Sequence, residues 1–369
     1  MFSVYGVIAL LSYVYGGVLA DKFLPKILIA ISLFSTALGG LVLASFPSYF
    51  TLQVLFGYWG FTTVFLLWGA MIKATRLWGG SISQGKAFGF LDGGRGLVAA
   101  GIGSIGVFIF SLTLTTEIQF ATIIERQESF RYVILFSSFI VALVGVLVFV
   151  FMKPETEQKS KIVTSFNSLD EIKSVMKFPA VWLLMIIIMC AYVGYKLTDI
   201  YSLYASDVML FDQIQAAEVG SLQLYLRPIV CVIIGLLADK TSGAKWIITG
   251  FIVMLIGAII FASGTVQSNM NSVFFLSLII VAIGTYTARA LYFAVLQEGH
   301  IPIALTGTAV GIISVVGYTP DIFASPIMGY LLDRYPGIVG HQYVFAMLVI
   351  FSILGLIASI RFSKLARKR

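Results

Sequence analysis

Gly17-Val-Leu-Ala-Asp21-Lys22 and Gly235-Leu-Leu-Ala-Asp239-Lys240 are the two stretches on which the fold turns. Each closes an apolar run with a glycine, a carboxylate four positions on, and a lysine directly after it. A second pair lies at nearly the same offset. Gly85-Lys-Ala-Phe-Gly89 opens one apolar run and Gly307-Thr-Ala-Val-Gly311 opens another about 220 residues later, and self-similarity at a fixed offset marks an internal repeat. The chain is duplicated.

The surroundings of these landmarks are strongly apolar. The 369 residues are 59% hydrophobic and 11% charged, with a mean hydropathy of +0.99. Soluble domains run at roughly 45–50% apolar and about 25% charged, so the composition excludes a water-soluble enzyme, a disulfide scaffold and a disordered tail. Apolar runs recur at 2–20, 27–46, 51–72, 86–112, 131–152, 180–204, 214–238, 246–263, 272–296, 303–332 and 342–362. Each is long enough to cross about 30 Å of hydrocarbon. In lipid such a run satisfies its own backbone only as a helix, and the alternating pattern of a membrane barrel is absent. The expected fold class is an all-α polytopic membrane protein with eleven transmembrane helices.

The mixed-charge stretch 153–178 divides an N-terminal bundle, 1–152, from a C-terminal bundle, 179–369. Asp239 follows two apolar runs counted from Phe178, whereas Asp21 follows one. Measured against its own copy the first half is one helix short of a six-plus-six design, with residue 1 read as an internal start, a misassigned start or a natural truncation. A secretory signal at residues 1–20 is disfavoured, since no basic residue precedes the run and its ending recurs at Gly235–Lys240.

The net charge of +7 sits in alternate gaps between runs: Lys22, Lys26, Lys73, Arg76, Lys86, Lys240, Lys245 and the tail from Arg361 to Arg369. The other gaps are neutral or acidic, with Glu117, Glu125 and Glu128 in 113–130. That is the positive-inside bias of a membrane protein rather than a nucleic-acid surface, and it places the basic loops and the C-terminus in the cytoplasm. No Asn-x-Ser/Thr acceptor occurs, which favours a bacterial inner membrane.

The Gly17-x-x-x-Asp21-Lys22-x-x-x-Lys26 loop resembles the signature loop between helices two and three of the major facilitator superfamily, and Gly235–Lys240 holds the equivalent place in the second half. Leu24 and Pro25 stand where that family has Gly and Arg. The resemblance covers nearly the whole chain and implies two pseudo-repeat bundles, the present helices being equivalents of two to twelve. It also implies secondary transport by alternating access. A gating set of Gly17, Asp21, Lys22, Arg76, Gly235, Asp239 and Lys240 follows, because a carboxylate at a helix end pairs with a cation or caps a neighbouring helix N-terminus. The alternative is that these are plain positive-inside anchors.

The stretch Gly85-Lys86-Ala-Phe-Gly89-Phe-Leu-Asp92-Gly93-Gly94-Arg95-Gly96 resembles the fifth-helix entry on the organophosphate-antiporter side of that superfamily. Asp92 and Arg95 share a helix face. A charge at mid-bilayer depth costs roughly 2.5–3.5 kcal/mol and is usually functional; the competing reading is an ion pair that locks helices. Lys196 lies among Tyr192 and Tyr195, Arg227 falls near the midplane of its run, and Arg289 lies near the inner end of the ninth. These residues with Arg95 give a cationic cavity, suited to an organic anion gripped by arginine forks, unless Asp92, Asp199 and Asp321 already neutralise it. Asp92, Asp199, Glu218 and Asp321 are the candidate proton carriers. Pro320 and the glycines of the tenth run predict a bent helix.

Gly101-Ile-Gly103-Ser-Ile-Gly106 matches a dinucleotide fingerprint but lacks its strand context, so close helix packing is expected there instead. His300 and His341 are expected in loops on opposite sides, and no cluster has metal-ligand spacing. No cofactor, metal or enzymatic constellation is expected, and no ATP-binding loop occurs, so a gradient must drive transport. The expected partners are a small-molecule solute, a proton and membrane lipid, with no nucleic acid, on a monomer. Proton symport of an organic anion leads; a drug or lipophile exporter of the same fold, and a channel or transport-inactive sensor, are the alternatives.

Overall fold

A computed structural model describes residues 1–114, 120–153 and 168–367. Glu117, residues 154–167 of the central stretch, Lys368 and Arg369 lie outside them. Eleven helices are long and apolar enough to cross a membrane, and no strand occurs among the described residues. They are α1 (Phe2–Lys22), α2 (Pro25–Ala44), α3 (Tyr49–Gly79), α4 (Gln84–Thr113), α5 (Ile123–Phe151) and α6 (Pro179–Asp207). Then follow α7 (Gln213–Lys240), α8 (Gly243–Ala262), α9 (Asn271–Leu291), α10 (Ile303–Arg334) and α11 (Ile338–Arg367). A short helix, Ser168–Met176, precedes α6.

Local chemistry sets the boundaries. Pro25 and Pro179 occupy first-turn positions, where a missing N–H costs nothing. Thr122 caps α5 through a reciprocal box with Glu125, which starts that helix at Ile123 rather than at the expected 131. Polar caps outrank the hydropathy of the first turn. Three spans are interrupted: α3 by π-helical turns at Phe61–Trp68, α6 by a 3-10 turn at Leu197–Asp199, and α10 at Tyr318–Thr319 before Pro320. The interruption of α10 falls beside Pro320, which has no N–H to give the preceding turn.

Residue contacts divide the chain into two compact units. The first comprises Met1–Ala74, Val98–Lys173 and Ile303–Ile312. In it α2 packs on α5 through Gly40, whose missing Cβ makes room for Ser138, and Gly145, which lies against Leu33. Buried hydroxyls are satisfied within the unit, Ser32 donating to the Thr62 carbonyl at 2.7 Å. Ala20, Leu28, Ile29 and Ala70 form a small apolar core there.

The second unit comprises Thr75–Leu97, Ser174–Pro302 and Ile313–Arg369. Its helices α8 and α9 approach through Gly250 and Gly284, where a Cβ would meet the facing backbone. Beside them Tyr201, Tyr204, Phe261, Phe274 and Phe345 form an aromatic core. Many large apolar side chains elsewhere stay exposed, such as Phe151 and Leu112, as a lipid-facing surface requires.

Candidate functional site

The two landmarks that repeat in the sequence prove to be each other's partners. In the first unit, Asp21 at the end of α1 accepts from the Gly307 and Thr308 backbone N–H groups at 2.8 and 2.7 Å, capping the first turn of α10. In the second unit, Asp239 at the end of α7 accepts from the Gly85 and Lys86 N–H groups at 2.6 and 2.8 Å, capping α4. A helix N-terminus presents orphan N–H donors and a partial positive charge, and each carboxylate meets both. The glycines make the approach possible. A Cβ on Gly17 would strike the Gly307 carbonyl oxygen, and one on Gly235 the Gly85 carbonyl oxygen. Each Gly-x-x-x-Asp of one sequence half thus docks on a Gly-x-x-x-Gly helix start of the other.

The two clamps differ in their cations. Lys73 pairs with Asp21 at 3.1 Å and also donates to the Ala20 and Asp21 carbonyls. Read from sequence as loop residues, Lys73 and Arg76 are instead buried on the last turns of α3, which continues to Gly79. Arg76 donates to the Ile301 carbonyl at 2.5 Å. Lys22 pairs with Glu171 at 3.8 Å. Asp239 and Lys240 are exposed, and no lysine or arginine pairs with Asp239 among the described residues. A third clamp went unread in the sequence. Glu298 binds the Gly243 and Ala244 N–H groups and the Ser242 hydroxyl at the start of α8. Only its place in a short turn could have signalled it. Asp239 and Glu298 both line a cavity of about 530 Å³ at these helix ends, and both are spent as caps.

Deeper in the second unit lies an arginine-rich cluster. Asp92 on α4 receives a bidentate grip from Arg227, Nη2 at 2.8 Å and Nε at 3.2 Å. It also receives Arg289 Nε at 3.3 Å, the Cys231 thiol at 3.5 Å, and Arg95 within 3.9 Å. Gly93 lets Pro228 of α7 approach, and Gly96 does the same for the Arg227 side chain. Asp92, Arg227 and Arg289 are all buried. The guanidinium carbon of Arg289 sits 3.7 Å from the centre of the Tyr195 ring, a cation–π contact that pins its plane. One carboxylate therefore serves three arginines.

A smaller pair stands nearby in the same unit. Asp321 pairs with Lys196 at 3.4 Å and accepts from the Tyr192 hydroxyl at 3.1 Å. Tyr192 packs edge-on against Tyr318, whose hydroxyl meets that of Tyr292 at 3.0 Å. Asp199 and Glu218 are exposed and outside both clusters. A Cβ on Gly101 or Gly103 would meet nothing within 4 Å and one on Gly106 would meet Val133, so the expected small-residue packing fails for two of the three. His341 is not in a loop. It is fully buried in the first turn of α11, 3.3 Å from Asp207 and edge-on to Tyr204. No group of three potential metal ligands occurs among the described residues.

A family model described as Major Facilitator Superfamily matches residues 1–320. The chain belongs to the major facilitator superfamily. Inner membrane protein YqcE of Escherichia coli K12 is 26% identical over 353 residues, covering 94% of this chain and 80% of that protein. Inner membrane protein YihN of the same organism is also 26% identical over 363 residues, covering 95% and 82%. The E. coli fucose:proton symporter FucP is similar in structure, with a TM-score of 0.75 at 14% identity over 98% of this chain and 90% of that one. The proton:xylose symporter XylE gives a TM-score of 0.71 at 14% identity, covering 99% and 85%. These likenesses show the superfamily's all-α fold, carried here among the described residues by eleven helices long and apolar enough to span.

Proposed function

We propose that the protein moves a small organic anion across a bacterial inner membrane by alternating access, coupled to protons. The observation that carries the substrate class is the Asp92 cluster: three guanidinium groups converge on one buried carboxylate. Charges inside a membrane are costly and are normally paired, and the two buried arginines, Arg227 and Arg289, share a single carboxylate, which favours an anionic ligand. Asp321 is the proposed proton carrier, because it is the exposed carboxylate that also meets a cation and a tyrosine hydroxyl. Asp92 has both oxygens engaged by arginine.

The Asp21 and Asp239 clamps join helices of opposite sequence halves. On this reading residues 1–152 and 179–369 rock against each other, and the clamps hold the cytoplasmic face shut until they break. Uptake of anionic solutes into proteoliposomes tests the proposal. Arg227→Ala or Arg289→Ala is expected to abolish binding of the transported anion. Binding that survives either change, or uptake indifferent to a protonophore and to external pH, removes the corresponding part.

A further inference from the structure

Two buried polar side chains of the second unit lack the partners that buried groups normally have. Arg289 Nη1 makes no hydrogen bond, and neither do Nε2 and Oε1 of Gln223. Both residues are more than nine-tenths buried. Gln223 lies one turn before Arg227 on α7, and residues four apart share a helix face. The Tyr286 hydroxyl donates to the Gln223 carbonyl at 3.3 Å, and Tyr286 lies one turn before Arg289 on α9. The unpaired atoms therefore belong to the same neighbourhood as the Asp92 cluster. The Arg289 fork spends a single Nε bond of 3.3 Å on Asp92 and is otherwise held by the Tyr195 ring.

We propose that Asp92 is the protein's own stand-in for the solute's oxyanion, and that Gln223 receives a hydroxyl on the same solute. In the absence of solute, Asp92 occupies Arg227 and half of the Arg289 fork. A solute carboxylate or similar oxyanion displaces it and takes up Nη1 as well, while the Gln223 amide, donor and acceptor together, pairs with a neighbouring hydroxyl. The solute class is thus a hydroxylated organic oxyanion. The inference rests on the anion-transport reading above and adds to it a displaced internal competitor and a specificity-determining glutamine. A site built to hydrogen-bond a hydroxyl rejects the analogue lacking it, because its own polar atoms then stay unpaired.

The test uses the purified full chain with glycerate and propionate, two three-carbon carboxylates that differ in their hydroxyls, and inorganic phosphate as a third probe. Calorimetric titration of the native protein is expected to favour glycerate over propionate by tenfold or more. Asp92→Asn removes the competitor and is expected to bind both carboxylates at least tenfold tighter. Gln223→Leu is expected to erase the preference while leaving propionate affinity unchanged, and to melt above the native protein because two unpaired polar atoms are gone. Equal native affinities for the two carboxylates, or a Gln223→Leu protein that melts lower, overturn the role of Gln223. Asp92→Asn binding no tighter than native overturns the stand-in. Should Asp92→Asn fail to fold, Asp92→Ala purified in formate is expected to regain cooperative unfolding as formate fills the vacated place; no recovery likewise overturns the stand-in. If native and variant proteins bind none of the three probes, it is the anion-transport reading itself that fails.

Discussion

Removing the charge of Asp21 should cost far more than removing that of Asp239, although the two clamps share one design. The Gly307 and Thr308 N–H groups bind different Asp21 oxygens, so Asp21→Asn keeps an acceptor for one of them and turns its amide NH2 toward the other, a loss of about 0.5–1.5 kcal/mol. It also loses the charged partner of Lys73, a residue only 2% exposed whose ammonium would be left with two backbone carbonyls. Stranding one member of a buried pair costs about 3–5 kcal/mol. Asp239 is exposed and has no salt bridge among the described residues, so Asp239→Asn forfeits the same single N–H bond and the charge–dipole share, about 0.3–1 kcal/mol, but strands no buried cation. Thermal unfolding in detergent should therefore show a clear loss for Asp21→Asn and a smaller one for Asp239→Asn. Adding Lys73→Met to Asp21→Asn removes the stranded charge and should restore most of the loss, since an apolar replacement of a buried pair is often neutral. Equal destabilisation by the two aspartate changes, or a double variant that melts no higher than Asp21→Asn, refutes the reasoning. Both single variants are also expected to slow uptake at unchanged levels of inserted protein, which quantitative blotting beside a transport assay would check.

Gly235→Val should disrupt the α4–α7 contact, because its first carbon already collides with the Gly85 carbonyl; a loss of about 1–3 kcal/mol, typical of overpacking, would appear as a lower melting temperature. Gly101→Ala, by contrast, meets nothing within 4 Å and should stabilise α4 by up to about 1 kcal/mol through helix propensity; a drop in melting temperature would count against the open face. His341→Phe keeps a ring against Tyr204 but removes the Asp207 contact, so a loss of about 1 kcal/mol is expected, while His341→Leu should lose more. Glu298→Gln should weaken the start of α8 by about 1 kcal/mol, measured as faster hydrogen exchange at Gly243 and Ala244, because a charged acceptor on an N-terminus is replaced by a neutral one.

Span number and approximate bounds were legible because lipid allows a long apolar run only one conformation. Errors fell where a polar device overrides hydropathy, as when the Thr122–Glu125 box starts α5 early. The capping carboxylates Asp21 and Asp239 could be found by their repetition. Lys73, Glu298 and Gln223 could not: a lysine beside loop charges looks like an anchor, a glutamate in a short turn looks solvated, and a lone glutamine in an apolar run carries no pattern. Each acquires meaning only from a neighbour distant in sequence.

Sequence alone determined the membrane, the helices and the duplication, since these follow from hydropathy and repetition along one chain. Tertiary structure decided the pairing. The repeated landmarks suggested two copies of one feature, and their crossed docking, Asp21 on Gly307 and Asp239 on Gly85, was not written in either copy. It arises because a carboxylate at one helix end and the bare N–H groups at another satisfy each other only when glycines let the backbones touch. The charge count could not say which buried charges meet. Only the fold showed that Arg95, Arg227 and Arg289 converge on a single Asp92.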